Sequence, residues 1–115
     1  MKKIIVVTGG CGFVGTNLIE HLIKNTNNEI ISLDDYSSGS KKNHIKNKKI
    51  KYLNGHTKDI SKILNKQKFY IKTIFHFGEF SRIYQSFEQM NKCIQSNSIG
   101  THAVFDFCLK NKIKL

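Results

Sequence analysis

The sequence has no proline, no tryptophan and no apolar run of membrane-spanning length. No repeat or linker interrupts it, so its 115 residues form one domain or part of one. The apolar run that starts at Ile4 stops at Thr8, short of the about 7–15 apolar residues that a signal peptide needs. The sequence therefore predicts a cytoplasmic protein without a membrane partner.

Acidic residues are scarce: the sequence has eight of them and nineteen lysines and arginines, which gives a net charge of +11. The lysines are densest in residues 41–51, where they mix with asparagines rather than aromatics. This mixture favours a solvated basic surface over a nucleic-acid site, so no nucleic-acid partner is predicted. The same positive field suits an anionic ligand such as a dinucleotide or a nucleotide sugar.

Cysteine is rare as well, with three residues and no C-x-x-C pair. On a single helix Cys93 and Cys108 would lie about 22 Å apart, too far for a disulfide, which fits a reducing compartment. Cys11 precedes a helix and is either a thiol of lowered pKa or a small residue that fills a turn; we favour the second. The histidines form no metal motif, so no metal site is predicted, and His76 is expected to be structural.

A glycine-rich turn follows the first apolar run. Gly9, Gly12 and Gly15 come directly after it, at the start of a helical pattern. This spacing is typical of a dinucleotide-binding turn: the first glycine permits the turn, the second admits a pyrophosphate, and the third lets the helix pack on the strand. Amide N–H groups at the helix start then face the phosphates.

Apolar and polar segments alternate along the rest of the chain. The first strand is apolar on both faces, as a buried parallel strand is. This alternation predicts an α/β fold, a Rossmann-type parallel sheet with helices on both faces and strand order 3-2-1-4. The predicted strands are Lys3–Thr8, Glu29–Leu33, Ile50–Leu53 and Thr73–Phe77, and the predicted helices are Cys11–Asn25, Ile60–Gln67 and Ser86–Asn111.

The last predicted helix carries a stripe whose members fall within about 80° of one another on a helical wheel. We expect this stripe to face the sheet. Asn97 lies in its middle, and a buried amide needs a hydrogen-bond partner, which is either structural or belongs to a cofactor or the fourth-strand loop. The stripe consists of Met90, Ile94, Asn97, Thr101, Val104 and Cys108.

Two aspartates close the second predicted strand. Asp34 stands 19 residues after Gly15, close to where a dinucleotide fold places the carboxylate that binds the adenosine ribose. Its charge repels a 2′-phosphate, so the predicted cofactor is NAD rather than NADP. Asp35 is the second candidate for this role. The alternative is that both aspartates only cap a turn.

Four segments resemble, in order, the successive motifs of the extended short-chain dehydrogenase/reductases. The most similar branch is that of the nucleotide-sugar epimerases and dehydratases of the UDP-glucose 4-epimerase type. The resemblance extends over the whole chain. Its segments are Thr8–Gly15 (TGGCGFVG), Leu33–Gly39 (LDDYSSG), His76–Glu79 (HFGE) and Asn97–Thr101 (NSIGT).

This resemblance implies where NAD would be held. It also implies a nucleotide-sugar substrate and a homodimer for the full-length enzyme. The residues implied to contact the pyrophosphate are Gly9, Gly12, Phe13, Val14 and Gly15, and those implied to contact the adenosine ribose are Asp34, Asp35, Ser38 and Gly39. The residues implied on the nicotinamide-ribose side are Phe77, Gly78, Glu79 and Ser81. Asn97 matches the asparagine of the family's N-x-x-G-T element.

The chain departs from the family pattern in two places. The family has Gly-Asp-hydrophobic after the third strand, with the aspartate near the adenine, whereas this chain has Gly55-His56-Thr57, which leaves the adenine contact open. After the fourth strand, Glu79 replaces a small residue. Its carboxylate needs a partner, and Arg82 is either that partner or a contact to a substrate diphosphate.

The family's catalytic pair is absent from this chain. Family chemistry uses Tyr-x-x-x-Lys, with the tyrosine as acid/base, and none of the four tyrosines here has a lysine four positions on.

The alternation of strands and helices calls for a fifth strand at Lys112–Leu115, so the fourth strand is expected to keep an unpaired apolar edge. We therefore expect an N-terminal part of an NAD-binding domain, truncated before strand five and the substrate domain, that is inactive and poorly soluble alone.

Three functions are compatible with this pattern. The favoured one is the NAD-binding portion of a nucleotide-sugar epimerase or dehydratase, which moves hydride from the sugar to NAD and back. A non-catalytic NAD-sensing module would bind NAD without turnover. A basic nucleic-acid-binding protein would show steep salt dependence of binding, but groove-reading motifs are missing.

Overall fold

One parallel sheet organises the chain, for which the computed structural model describes residues 3–78 and 90–115. The strand order in this part of the chain is β3-β2-β1-β4, so the predicted α/β class and strand order are confirmed. The strands are β1 (Ile4–Thr8), β2 (Glu29–Asp34), β3 (Ile50–Asn54) and β4 (Ile71–His76), and the helices are α1 (Phe13–Asn25), α2 (Ile60–Ile63), α3 (Met90–Ile94) and α4 (Thr101–Asn111).

Helices pack on both faces of the sheet. Successive side chains of a strand point to opposite faces, and β1 is buried along its whole length. One face packs against α1 through Ile5, Val7, Ile19, Leu22 and Ile30. The other face packs against α2 and α4 in a larger cluster that includes Val6, Leu33, Ile60, Leu64, Ile74, Val104 and Phe107.

The first helix begins two residues later than predicted, at Phe13 rather than Cys11. The backbone of residues 9–12 forms the preceding turn, closed by a hydrogen bond from Gly12 N to Gly9 O (3.2 Å). At the other end, Lys49 Nζ donates to Ile23 O (2.8 Å) and Thr26 O (2.9 Å). This lysine satisfies carbonyl oxygens that the end of a helix leaves without partners.

The second predicted helix and the fourth predicted strand shift by a few residues. The helix predicted at Ile60–Gln67 is a 3₁₀ turn, Thr57–Asp59, followed by α2, which ends at Ile63. Leu64 is buried and the chain turns after it. Strand β4 starts two residues early, at the buried Ile71, and its register against β1 shifts after that residue. No helix in the described ranges could cross a membrane.

The prediction that one stripe of the last helix faces the sheet is wrong for its first half. Met90 and Ile94 are 56% and 47% exposed, and Asn97 is exposed too, whereas Val104 and Cys108 are buried. Residues Gln95–Gly100 form a π-helical segment between α3 and α4. Hydrogen bonds from i to i+5 widen the turn, so a residue pattern counted at 3.6 per turn loses its phase there.

The outer edge of β4 is paired at one point, contrary to the unpaired edge expected from the sequence. Helix α4 ends with Lys112 in the left-handed conformation, at φ 54°. The chain then reverses and Lys114 forms a parallel bridge to Thr73. Ile74 N donates to Lys114 O (2.8 Å), and Lys114 N donates to Lys72 O (3.3 Å). This pairing lies on the side where a fifth strand would continue the sheet.

Candidate functional site

A cleft of about 440 Å³ lies at the carboxyl ends of the strands. This is where ligands bind in open parallel sheets, at the point where the strand order reverses. Here the reversal lies between β1 and β4. The lining residues are Gly9, Gly12, Phe13, Val14, Gly15, Leu33, Asp34, Asp35, Ser37, Ser38, Gly39, Gly55, His56, Thr57, Phe77 and Gly78.

The floor of the cleft is the glycine turn between β1 and α1. Gly9 has a φ of +69°, and a Cβ there would lie 2.7 Å from Phe77 O, so no other residue fits without strain. Gly15 lies so close to Gly9 O that a Cβ would overlap it. Gly12 is the N-cap of α1 and supplies no side-chain cap. The first amide N–H groups of α1 therefore face the cleft without a cap, as an anion site requires.

Gly12 differs from its neighbours because the protein's own packing does not require a glycine there. Its φ of −81° is ordinary, and a Cβ would meet nothing nearer than Gly9 O, at 3.5 Å. Gly12 itself lines the cleft. A glycine that lines a cleft and is not required by packing fits a ligand that approaches the backbone closely. The residues present thus fit the pyrophosphate of a dinucleotide.

Asp34 closes the cleft on the β2 side and is 8% exposed. Its Oδ2 accepts from Cys11 N (2.9 Å) and its Oδ1 accepts from Tyr36 N (2.8 Å). Asp35 is exposed, and its Oδ1 accepts from Ser37 N (3.0 Å). Both aspartates therefore cap a turn, since each accepts a hydrogen bond from the backbone N–H two residues further on. Since each carboxylate oxygen has two acceptor sites, Asp34 can still accept a ribose hydroxyl, and that role stays a prediction.

Cys11 connects the glycine turn to the β2–β3 connection through its backbone. Its carbonyl accepts from Asn43 Nδ2 (2.7 Å) and from Ser40 N (3.2 Å), while its N–H binds Asp34. The side chain is fully buried, and burial raises the pKa of the thiol. The hypothesis of a lowered pKa is wrong, because desolvation, aided by the negative charge of Asp34, outweighs the hydrogen bonds with Tyr36 and Ser32 that lower it. Cys11 fills the turn.

We expect native-state thiol labelling to distinguish the three free cysteines. Burial raises the pKa of both Cys11 and Cys108, whereas Cys93 is only half-buried. Since the thiolate is the reactive form, Cys93 should react with Ellman's reagent at least about tenfold faster than the others. All three should react at similar rates in denaturant. Rapid native labelling of a Cys11-only variant would contradict this assignment.

The end of β4 is held by Thr8. Its Oγ1 accepts from Phe77 N (2.9 Å) and Gly78 N (3.0 Å) and lies 2.6 Å from His76 Nδ1. Because two N–H groups already point at the hydroxyl oxygen, its own proton goes to Nδ1. The His76 ring then carries its proton on Nε2 and donates to Thr101 Oγ1 (2.9 Å). His76 thus has the structural role predicted for it.

The N-x-x-G-T element packs beside the same cleft. Gly100 is buried, and a Cβ there would overlap Thr57 Oγ1. Thr101 binds His76. Asn97 is absent from the described lining, and its Nδ2 donates to Cys93 Sγ (3.6 Å). The predicted contact from Asn97 to the cofactor therefore stays a prediction, and its predicted burial is wrong.

The cleft brings eleven predicted residues together. They are Gly9, Gly12, Phe13, Val14, Gly15, Asp34, Asp35, Ser38, Gly39, Phe77 and Gly78. Glu79, Ser81 and Arg82 lie outside the described residues, so their roles stay predictions. Our prediction of contacts did not include Leu33, Ser37, Gly55, His56 and Thr57. Gly55, His56 and Thr57 could have been predicted from their position at the end of β3, because parallel strands bring their carboxyl ends to one edge of the sheet.

Comparison with known proteins gives a consistent result. Residues 5–115 match the NAD dependent epimerase/dehydratase family. The dTDP-D-glucose 4,6-dehydratase of Dictyostelium discoideum is 31% identical over 118 residues, covering 96% of this chain and 27% of that protein. The UDP-glucose 4-epimerase of Lactobacillus helveticus is 29% identical over 99 residues, covering 84% of this chain and 28% of that protein.

Solved structures agree with the sequence relatives. The epimerase Mth375 of Methanothermobacter thermautotrophicus superposes with a TM-score of 0.87 at 26% identity, covering 97% of this chain and 33% of that one. The chain thus spans between about a quarter and a third of the length of these proteins. NAD, the predicted cofactor, is named in the description of the family. Since the match covers nearly every residue, the chain belongs to the NAD-dependent epimerase/dehydratase family.

Proposed function

We propose that this chain binds NAD in the cleft, with the pyrophosphate on the start of α1 and the adenosine ribose on Asp34. The observation that carries this proposal is Gly12, which lines the cleft and whose Cβ would meet no protein atom nearer than 3.5 Å. The hydroxyl of Thr57 adds support: it is buried and has no hydrogen-bond partner among the described residues, as in a site that lacks its ligand. A net charge of +11 favours an anionic ligand as well.

The role of the bound cofactor follows from the family. We propose that the chain is the N-terminal part of the NAD-binding domain of a nucleotide-sugar 4-epimerase similar to UDP-glucose 4-epimerase. Bound NAD supplies a reversible hydride acceptor. The chain's own residues bind and orient it: the amides of α1 receive the phosphates, Asp34 the ribose, and the backbone after β4 the nicotinamide side. The Tyr-x-x-x-Lys acid/base pair has no counterpart in these residues.

Calorimetric titration with NAD and NADP tests the binding proposal on the protein at its natural length. We expect NAD to bind at least about 100-fold more tightly, because the Asp34 carboxylate repels a 2′-phosphate. Asp34→Asn should reduce that ratio by about tenfold or more. Asp35→Asn removes the same charge at the neighbouring, exposed position and should leave the ratio within about threefold. Equal effects of the two variants would contradict the assignment of Asp34.

Mass spectrometry of the product distinguishes the reactions proposed for the intact enzyme. A 4-epimerase leaves the mass of UDP-glucose unchanged, whereas a dehydratase product is lighter by one water. We expect an isomer of unchanged mass, formed by a cytoplasmic homodimer, and no turnover by residues 1–115 alone. Tight NAD binding by the intact protein without turnover of any nucleotide sugar would favour the NAD-sensing module instead.

A further inference from the structure

Tyr36 has an uncommon backbone conformation beside the cleft. Its φ is +62°, and the one other non-glycine residue with a positive φ in the described ranges is Lys112, at the end of α4. A left-handed residue is common directly after a helix. Elsewhere it costs free energy, because the Cβ crowds the neighbouring backbone. Contacts of the Tyr36 side chain therefore have to offset this cost.

The left-handed turn brings the neighbours of Tyr36 into the cleft. The described lining includes residues 35 and 37–39 but not Tyr36 itself. The N–H of Tyr36 donates to Asp34 Oδ1 (2.8 Å), so Tyr36 also orients the carboxylate proposed to bind the ribose. We call residues 35–39 the ribose loop. Its contact with an adenosine ribose rests on the proposed binding of NAD.

The side chain of Tyr36 contacts rings that do not belong to the described lining. Its hydroxyl forms a hydrogen bond with His44 Nε2 (2.7 Å), and the two ring centroids are 5.8 Å apart. His44 in turn stacks on Tyr52, with the centroids 3.8 Å apart and the planes within 12° of each other. We call Tyr36, His44 and Tyr52 the ring cluster. Because Tyr52 lies in β3, the cluster connects the ribose loop to the sheet.

The middle ring of the cluster is held through the backbone as well. Tyr52 OH accepts from the N–H of Ile45 (2.9 Å), the residue after His44. The N–H of His44 donates to Lys41 O (3.2 Å), and Lys41 Nζ lies 5.7 Å from the centroid of the Tyr36 ring. An ammonium group at this distance is attracted to the ring. The partner of the Tyr36 hydroxyl is therefore fixed by contacts that do not involve the cleft.

We propose that Tyr36 is a positioning residue for the dinucleotide: the ring cluster holds the ribose loop and the Asp34 carboxylate in the arrangement that receives the adenosine ribose. The rings do this from outside the cleft. A loop that is fixed before binding loses little conformational entropy when the ligand binds. Loss of the cluster should therefore weaken the ribose contact and spare the phosphate contact at the start of α1.

Calorimetry on the protein at its natural length compares NAD with an analogue that lacks the 2′-hydroxyl of the adenosine ribose. The wild-type protein should prefer NAD by about tenfold or more, the size of one hydrogen bond to a carboxylate. His44→Ala removes the exposed middle ring. This variant should reduce the preference to about threefold or less and still bind the analogue within about threefold of the wild type. A merely structural residue would weaken the binding of both ligands alike.

Tyr36→Gly separates the backbone from the side chain. Glycine adopts a φ of +62° without strain and keeps the N–H that binds Asp34, but it has no ring to join the cluster. We expect the same loss of preference as in His44→Ala. His21→Ala is the matched control, because His21 is an exposed histidine of α1 that does not line the described cleft. It should keep the wild-type preference.

The inference is overturned if either His44→Ala or Tyr36→Gly folds, as judged by thermal unfolding, and keeps the wild-type preference. It is also overturned if both ligands weaken equally, if both variants fail to fold, or if the wild-type protein binds NAD and the analogue equally well. Failure of the wild-type protein to bind NAD at all would instead overturn the proposed function.

Discussion

A Gly12→Ser protein should fold as well as the wild type and lose NAD binding by about 100-fold, or ~2.7 kcal/mol. The new Cβ meets no protein atom nearer than 3.5 Å, so packing is not disturbed. Serine is also a better N-cap than glycine by a few tenths of a kcal/mol, and α1 has no side-chain cap at present. The same side chain fills the space for the pyrophosphate and takes an amide N–H that would bind it. Calorimetry and thermal unfolding measure the two effects separately.

Gly15→Ser is the matched comparison, and it should give the opposite result. A Cβ at Gly15 overlaps Gly9 O, a backbone atom that cannot move without opening the turn. The expected cost is about 3 kcal/mol of stability or more, enough to unfold much of a marginally stable domain. If Gly12→Ser destabilises the fold as much as Gly15→Ser does, the glycine at position 12 serves packing and not a bound phosphate.

Replacing Thr8 by valine should reduce the free energy of unfolding by about 2–3 kcal/mol. Valine keeps the shape of this fully buried side chain and removes only the hydroxyl. The N–H group of Gly78 and the Nδ1 atom of His76 then lose Thr8 Oγ1, whereas the N–H group of Phe77 keeps its bond to Thr8 O (3.1 Å). Urea denaturation measures the loss.

Thr16→Val is the control for this substitution, since Thr16 makes one longer bond, to Gly10 O at 3.3 Å. It should cost less than about 1 kcal/mol. Thr101→Val removes a second partner of the His76 ring. Combined with Thr8→Val it should be less than additive, because both changes release the same ring. Additive losses would show that His76 does not connect the two threonines.

The parts of the molecule that follow from local rules could be predicted from the sequence. Gly9 and Gly15 mark a strand-to-helix turn because the backbone there admits no Cβ. The apolar run at Ile4–Val7 reads as a strand buried on both faces, and the structure buries all four residues. Asp34 closes the next strand at the edge where the turn lies. Spacing along the chain is enough to place these residues in one cleft.

Features set by contacts between distant segments could not be predicted in the same way. The π-helical segment changes which residues of the last helix are buried, and no residue type between Gln95 and Gly100 predicts such a segment. The hydroxyl of Thr8 has partners about seventy residues away in sequence. Lys114 pairs with β4 although its side chain is charged and exposed, because only its backbone takes part.

The peptide groups on either side of Cys11 tie two walls of the cleft to each other. One N–H and one carbonyl join the glycine turn to Asp34, Ser40 and Asn43, with no contribution from a ligand. Loops that are fixed in advance lose little conformational entropy on association, so less of the interaction energy is cancelled by ordering. The proposed phosphate and ribose subsites are therefore fixed relative to each other before a dinucleotide binds, and a displacement of either one would carry the other with it.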